Sequence, residues 1–193
     1  MKIQRVAVVL FLGLLLLTTF ACGGSAGQGS SSTPTPTWAT YSNSSRGISM
    51  QYPQNWVKTE NQSGSAYVII FSSPAHSDST YAERLSIFVS HSEQPVVNLS
   101  DWVDTCILTL RTSQTGFNLS ESSATTLAGM PARKLVYTGK SIKYPSNYST
   151  ECMQIISVKD NNIVYTIGFA ADITTYDSDV KTAQQMIDSF TIY

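Results

Sequence analysis

Charge is what this chain has least of. Asp, Glu, Lys and Arg make up 13% of its 193 residues, and 12 cations against 13 acids leave a formal charge of −1. There is no block of like charge, which excludes an acidic or basic interaction tail. A nucleic-acid binder usually carries a basic excess or stripe to neutralise phosphates, and none is present here. Histidine occurs twice and cysteine three times. From residue 38 onward there is no Gly-x-Ser-x-Gly elbow, and the whole chain lacks the P-loop and Gly-x-Gly-x-x-Gly patterns. The folded part therefore offers neither a nucleophile elbow nor a phosphate-cradling loop. Serine and threonine fill the space that charge leaves, at 28 and 21 residues, while 42% of the chain is hydrophobic. That balance fits an extracytoplasmic, β-rich domain, and the length fits one domain rather than two.

The N-terminus reads as an address. Lys2 and Arg5 precede residues 6–21, a run of 16 without charge. This is the n-region and h-region of a secretory signal. It is shorter than the ~20 residues a membrane-spanning helix requires. Thr18-Thr19-Phe20-Ala21-Cys22-Gly23-Gly24 follows. A small residue before Cys22 with glycine after it resembles a bacterial lipobox, whose cysteine is acylated and becomes the new N-terminus. The lipobox prefers Leu and a small residue where this chain has Thr19 and Phe20. An ordinary cleaved signal and an uncleaved anchor are the alternatives. Residues 23–37, GGSAGQGSSSTPTPT, hold no charge and no large apolar side chain. Such a segment buries no apolar surface and acts as a linker, flexible at its Gly/Ser end and stiffer at its Thr-Pro end. Fifteen residues reach at most ~50 Å. The expected organisation is a signal at 1–21, a lipidated Cys22 (by palmitate or a similar acyl group) with its tether at 22–37, and a folded domain at 38–193. Two acyl chains give stable anchoring. Without residues 1–21 the chain keeps ten cations against 13 acids, a net −3.

Within the domain, periodicity switches between strand and helix. Ile48, Met50 and Tyr52 alternate with polar residues until Pro53, and residues 54–59 then form a turn around Trp56. Residues 66–72 are a continuous apolar run and residues 85–89 alternate, which predicts two more strands. Leu99, Trp102, Val103, Cys106, Ile107 and Leu110 share one helical face, with Asn98 or Ser100 as cap and Asp101 and Asp104 at its start. Residues 122–127 and 132–138 flank Ala128-Gly129-Met130-Pro131 as a hairpin, and residues 148–158 and 162–170 flank a second turn. Tyr176, Val180, Ala183, Ile187 and Phe190 predict a closing helix. About seven strands and two long helices, with short links, imply α+β architecture around a mostly antiparallel sheet.

Three segments in order resemble PsbP-like domains: residues 47–56 with Tyr52-Pro53 and Trp56, residues 127–137 with Gly129 in the turn, and residues 164–192 ending in Asp188-Ser189-Phe190. The resemblance spans residues 45–193 and implies an α/β/α sandwich. It also implies a binding or accessory role, since relatives include photosystem II subunits, a Ran-binding import factor and cell-envelope lipoproteins. The physical roles of Tyr52, Pro53, Trp56 and Gly129 are structural. Proline ends a ladder, tryptophan closes a core, and glycine permits a tight turn.

Chemistry is sparse. His91 continues a strand, and His76 and Asp78 lie in a polar loop with too few partners for a metal. Asp172, Asp177 and Asp179 fit the start of the last helix without EF-hand spacing. No catalytic residue, metal ligand or cofactor is assigned. Cys106 on the apolar helix face and Cys152 in a strand, with 45 residues between them, form a candidate helix-to-sheet disulfide. Such a bridge would stabilise by roughly 3–4 kcal/mol. Two separately buried thiols are the alternative. The expected function is a non-enzymatic lipoprotein, tethered outside the cell membrane, that holds an envelope or membrane protein partner. A carrier of a small apolar ligand is the second reading.

Overall fold

The computed structural model describes residues 37–63, 66–74, 83–96, 98–141 and 149–193. In chain order the elements are β1 (Trp38–Asn43), β2 (Ile48–Pro53), β3 (Val57–Ser63), β4 (Ala66–Ser72) and β5 (Arg84–His91). Then come α1 (Leu99–Ser113), β6 (Gln114–Leu127), β7 (Met130–Ser141), β8 (Thr150–Lys159), β9 (Ile163–Asp172), α2 (Tyr176–Asp188) and β10 (Thr191–Ile192). Seven strands pair antiparallel in the order β3-β4-β5-β9-β8-β7-β6, and β1-β2-β10 form a separate three-stranded sheet.

Side-chain alternation divides the larger sheet into two faces. On one, Ile69, Ile87, Ile167 and Ile155 stand opposite one another across β4, β5, β9 and β8, all buried. Phe71, Leu85, Phe169, Met153 and Val136 make a parallel row. Full burial of each such side chain contributes roughly 1.5–3 kcal/mol. The small sheet and α2 cover this face through Ile48, Met50, Ala183, Met186 and Ile187. On the opposite face, α1 sets Val103 and Leu110 over Leu135, Tyr137, Ile156 and Val164. The layers are therefore α1, the seven-stranded sheet, and α2 alongside the small sheet.

Local chemistry explains the helix ends. The Asn98 side chain accepts a hydrogen bond from the Ser100 N–H at 2.9 Å, capping α1, and Asp101 lies in its first turn. Asp172 Oδ1 accepts from the Thr174 N–H at 2.9 Å and hydroxyl at 2.6 Å, shaping the turn into α2. Those bonds hold its carboxyl below the usual range.

The mostly antiparallel, two-helix architecture agrees with the sequence reading, but the proportions differ. The chain is richer in strand than expected, with ten among the described residues in two sheets rather than about seven in one. The turn around Trp56 stops at residue 56, and β3 starts at Val57. This strand is exposed from residue 57 to 62, so it has no apolar alternation. Strand β1 buries only Tyr41. Strand β6 begins at Gln114, eight residues before the expected start. A register shift between Leu119 and Glu121 reverses its faces. Phe117 and Leu119 face α1, and past the shift Leu127 reaches the larger core.

Candidate functional site

Strand β6 and α2 stand on either side of a groove of about 430 Å³ on the α2 side of the large sheet. Ile155, Ile187, Leu127 and Phe190 form its floor, all four nearly fully buried, and Thr125, Lys134, Gln184 and Asp188 line its walls. The size lies within the range of small binding sites. Ile155 ends the isoleucine row, so the floor is continuous with the core.

The walls are fixed by their own bonds. Gln184 Nε2 donates to Asp188 Oδ1 at 2.7 Å, one helical turn along α2. Lys134 Nζ lies 3.0 Å from Glu121 Oε2, while the Ser123 hydroxyl donates to Glu121 Oε1 at 2.5 Å. The bonds from Ser123 and then Lys134 hold the Glu121 carboxyl below its ordinary value. Farther along α2, burial and then the Asp177 charge push the Glu151 carboxyl up. The groove thus presents mainly hydrogen-bonding walls over buried core side chains, which suits a partner surface that is itself largely polar.

Gly129 belongs to the hairpin that closes this groove. Leu127 pairs with Met130, so the turn is the two residues Ala128 and Gly129 rather than the four expected. Both have positive φ, 49° and 78°. That is the type I′ geometry that matches strand twist, and Gly129 meets it without a Cβ penalty.

Tyr52, Pro53 and Trp56 gather beside the small sheet and pack toward the larger core. The Tyr52 ring lies 4.8 Å from that of Phe71. Pro53 is the buried last residue of β2, and its carbonyl accepts the Trp56 N–H at 2.9 Å. Trp56 is half-buried against the larger core.

A polar clamp joins the two sheets nearby, and the sequence reading missed it. The Tyr41 and Tyr67 hydroxyls lie 2.8 Å apart, and Asn43 Nδ2 donates to both, at 3.1 and 2.9 Å. The Tyr67 hydroxyl also donates to the Glu60 carboxylate. Lys58 Nζ pairs with Glu60 at 2.8 Å and sits 4.7 Å above the Tyr41 ring, while the Arg46 guanidinium lies 5.1 Å from the Tyr67 ring centre. Lys58 first and Tyr67 second hold Glu60 below its usual value, and burial pushes the Tyr67 hydroxyl strongly up. These residues come from β1, β3, β4 and the turn between β1 and β2, and only the sheet register brings them together.

Cys106 and Cys152 both pack into the core beneath α1, as the sequence suggested, but they are free thiols and the expected bridge is not formed. Packing satisfies each separately, in the manner of a small hydrophobe. Burial pushes both thiols up to about 11. Cys22, His76 and Asp78 lie outside the described residues. His91 ends β5, exposed. Among the described residues there is no group of three or more metal-ligating side chains, and no helix is long and apolar enough to cross a membrane.

Comparison with known proteins places this geometry in context. The sequence profile described as PsbP-like protein matches residues 25–192. No curated protein sequence matches the chain at a significant level. Among solved structures, the cyanobacterial PsbP (CyanoP) from Synechocystis sp. PCC 6803 is similar, with TM-score 0.56 at 15% identity, covering 88% of this chain and 98% of that one. LpqN of Mycobacterium tuberculosis, described as involved in cell envelope biogenesis, gives TM-score 0.57 at 15% identity, covering 82% and 89%. The Ran-binding protein Mog1p of Saccharomyces cerevisiae gives 0.52 at 8% identity, covering 82% and 96%. At these identities the likeness concerns the fold.

Proposed function

This chain belongs to the PsbP-like protein family, and on that premise we propose that it is a non-enzymatic accessory module, lipid-tethered through Cys22 outside the cytoplasmic membrane, that holds a protein partner in its α2–β6 groove. The observation that carries the reading is the groove itself, concave and open, with paired polar walls set over buried core side chains. Its open, polar rim favours a protein surface over an enclosed apolar guest. The order of cationic start, apolar run, Cys22 and uncharged linker supports the tether. LpqN's part in envelope biogenesis is in keeping with such a role.

Two measurements test the proposal. Cys22→Ala is expected to move the protein from the membrane fraction to the soluble fraction and to abolish incorporation of a labelled fatty acid. A photo-crosslinking side chain at Gln184 is expected to trap one discrete membrane-fraction protein, while the same group at exposed Leu108 on α1 traps none. Equal trapping at both positions argues against the groove, and co-extraction of a stoichiometric lipid instead supports the carrier reading.

A further inference from the structure

Among the described residues the large sheet ends in two unpaired edges, β6 and β3, and they are protected very differently. Strand β6 is interrupted by two register shifts. Its closing pair, Leu127 with Met130, is hydrogen-bonded in a two-residue hairpin, so the backbone groups of Ser122, Ala124 and Thr126 point outward. Arg133 Nη2 donates to the Ser122 carbonyl at 3.4 Å and to its hydroxyl at 2.7 Å, covering one of these sites. Such bulges and charged covers keep an edge from pairing.

Strand β3 has no register shift, and its two charges, Lys58 and Glu60, are of opposite sign. Its seven residues pair with β4 in unbroken register. The outward groups follow from the ladder. The Ser73 N–H donates to the Glu83 carbonyl at 3.0 Å, so odd residues of β4 bond toward β5 and even ones toward β3. The even residues Ser72, Ile70, Val68 and Ala66 stand opposite Val57, Thr59, Asn61 and Ser63. The backbone N–H and C=O of Lys58, Glu60 and Gln62 are therefore directed away from the sheet.

We propose that β3 is a self-pairing edge: two copies of this chain join antiparallel through β3 about a two-fold axis at Thr59, with Lys58 of each opposite Glu60 of the other. Charge selects this register. Here Lys58 meets Glu60 twice, and two lysines and two glutamates form a closed ring. Moving the axis by one residue sets Glu60 against Glu60 or Lys58 against Lys58, and like charges directly opposite are destabilising. In the chosen register the outward groups of residues 58 and 60 bond across the axis. The two Thr59 side chains meet as a cross-strand pair, and Val57, 65% exposed in the single chain, faces Asn61 of the other copy.

An interface of one short strand lies below the ~1,200 Å² of standard complexes. Free chains should therefore associate weakly, while confinement on a shared surface raises their effective concentration. The pairing itself does not depend on the tether or on the groove's partner.

The test is disulfide trapping in the full chain, purified in detergent, with the unchanged chain as background for its own cysteines. In a non-hydrogen-bonded antiparallel pair the Cα atoms lie ~4.5 Å apart, close enough for a disulfide. Under mild oxidation Thr59→Cys is expected to form covalent dimer about tenfold faster than Asn61→Cys or Leu108→Cys, through the locally raised thiol concentration. Adding Lys58→Glu, which leaves Glu60 and Tyr67 in place, should remove that excess, and adding Glu60→Lys to the pair should restore it. Circular dichroism and the urea midpoint identify any variant that fails to fold. A Thr59→Cys rate equal to that of Leu108→Cys, or an excess that survives Lys58→Glu in a folded chain, overturns the proposal.

Discussion

Removing one hydroxyl from the clamp between the two sheets should cost more than any single bond in it. Tyr67→Phe deletes the donor to Glu60, the 2.8 Å partner of Tyr41 and an acceptor of Asn43. A hydrogen bond to a charged group contributes ~1.5–3 kcal/mol and a neutral one about 1 kcal/mol. Glu60's side chain is 37% exposed, so water can replace part of the lost bond and the lower end applies. The remaining Tyr41 hydroxyl and Asn43 amide can still bond each other. The total expected loss is about 2 kcal/mol. Urea unfolding followed by tryptophan fluorescence would read this as a midpoint lowered by about 1 M at unchanged slope. The clamp also has a pH signature. Glu60's folded pKa lies below its ordinary 4.5, so its contribution is complete above that pH and is lost as pH falls through the folded value. Tyr67→Phe should shrink the acid-side loss without abolishing it, because the Lys58 contact remains. A destabilisation below about 0.5 kcal/mol, or an unchanged acid limb, would refute the claim that this network joins the sheets.

Three further outcomes are expected. Ala128→Gly should raise stability by about 0.5–1 kcal/mol in a thermal melt, since a φ of 49° strains alanine and suits glycine. Gly47→Ala should destabilise by about 2 kcal/mol or more. Its φ is 62° and the new Cβ would collide with the Tyr193 carbonyl, so amide exchange should show β10 released first. In the folded chain without reductant, Cys106 and Cys152 should resist alkylation at pH 8 and both should label after denaturation, as peptide mapping can read. Failure of both to label without reductant would indicate a bridge after all.

Much of the architecture was legible because burial writes a period into sequence. Helix α1 announces itself through Leu99, Trp102, Val103, Cys106, Ile107 and Leu110 sharing one face, and β4 through its apolar run. Strand β3 was illegible for the opposite reason: an exposed edge strand held by backbone bonds needs no apolar side chains. Strand β6 was half-read because the register shift near Ser120 breaks its alternation into two phases. The groove and the clamp depend on neighbours such as Lys134 with Glu121, or Tyr41 with Tyr67, that only sheet register brings together. The PsbP-like motifs at Tyr52, Pro53, Trp56 and Gly129 marked the fold well because each residue answers a local backbone or packing demand.

The pairing of β10 with β2 has a consequence for how the chain comes into being. Tyr193's N–H donates to the Gly47 carbonyl at 2.8 Å, and Ser189's hydroxyl accepts the Gln51 N–H at 2.8 Å, so the first hairpin is completed by residues more than 130 positions later in the chain. A chain synthesised from its N-terminus must hold Ile48 and Met50 without their partners Met186, Ile187 and Phe190 until those residues emerge. Loop closure over so many residues is slow. Nascent β1 and β2 therefore remain uncommitted until α2 and β10 have been made, and premature folding is disfavoured by the order in which the pieces arrive.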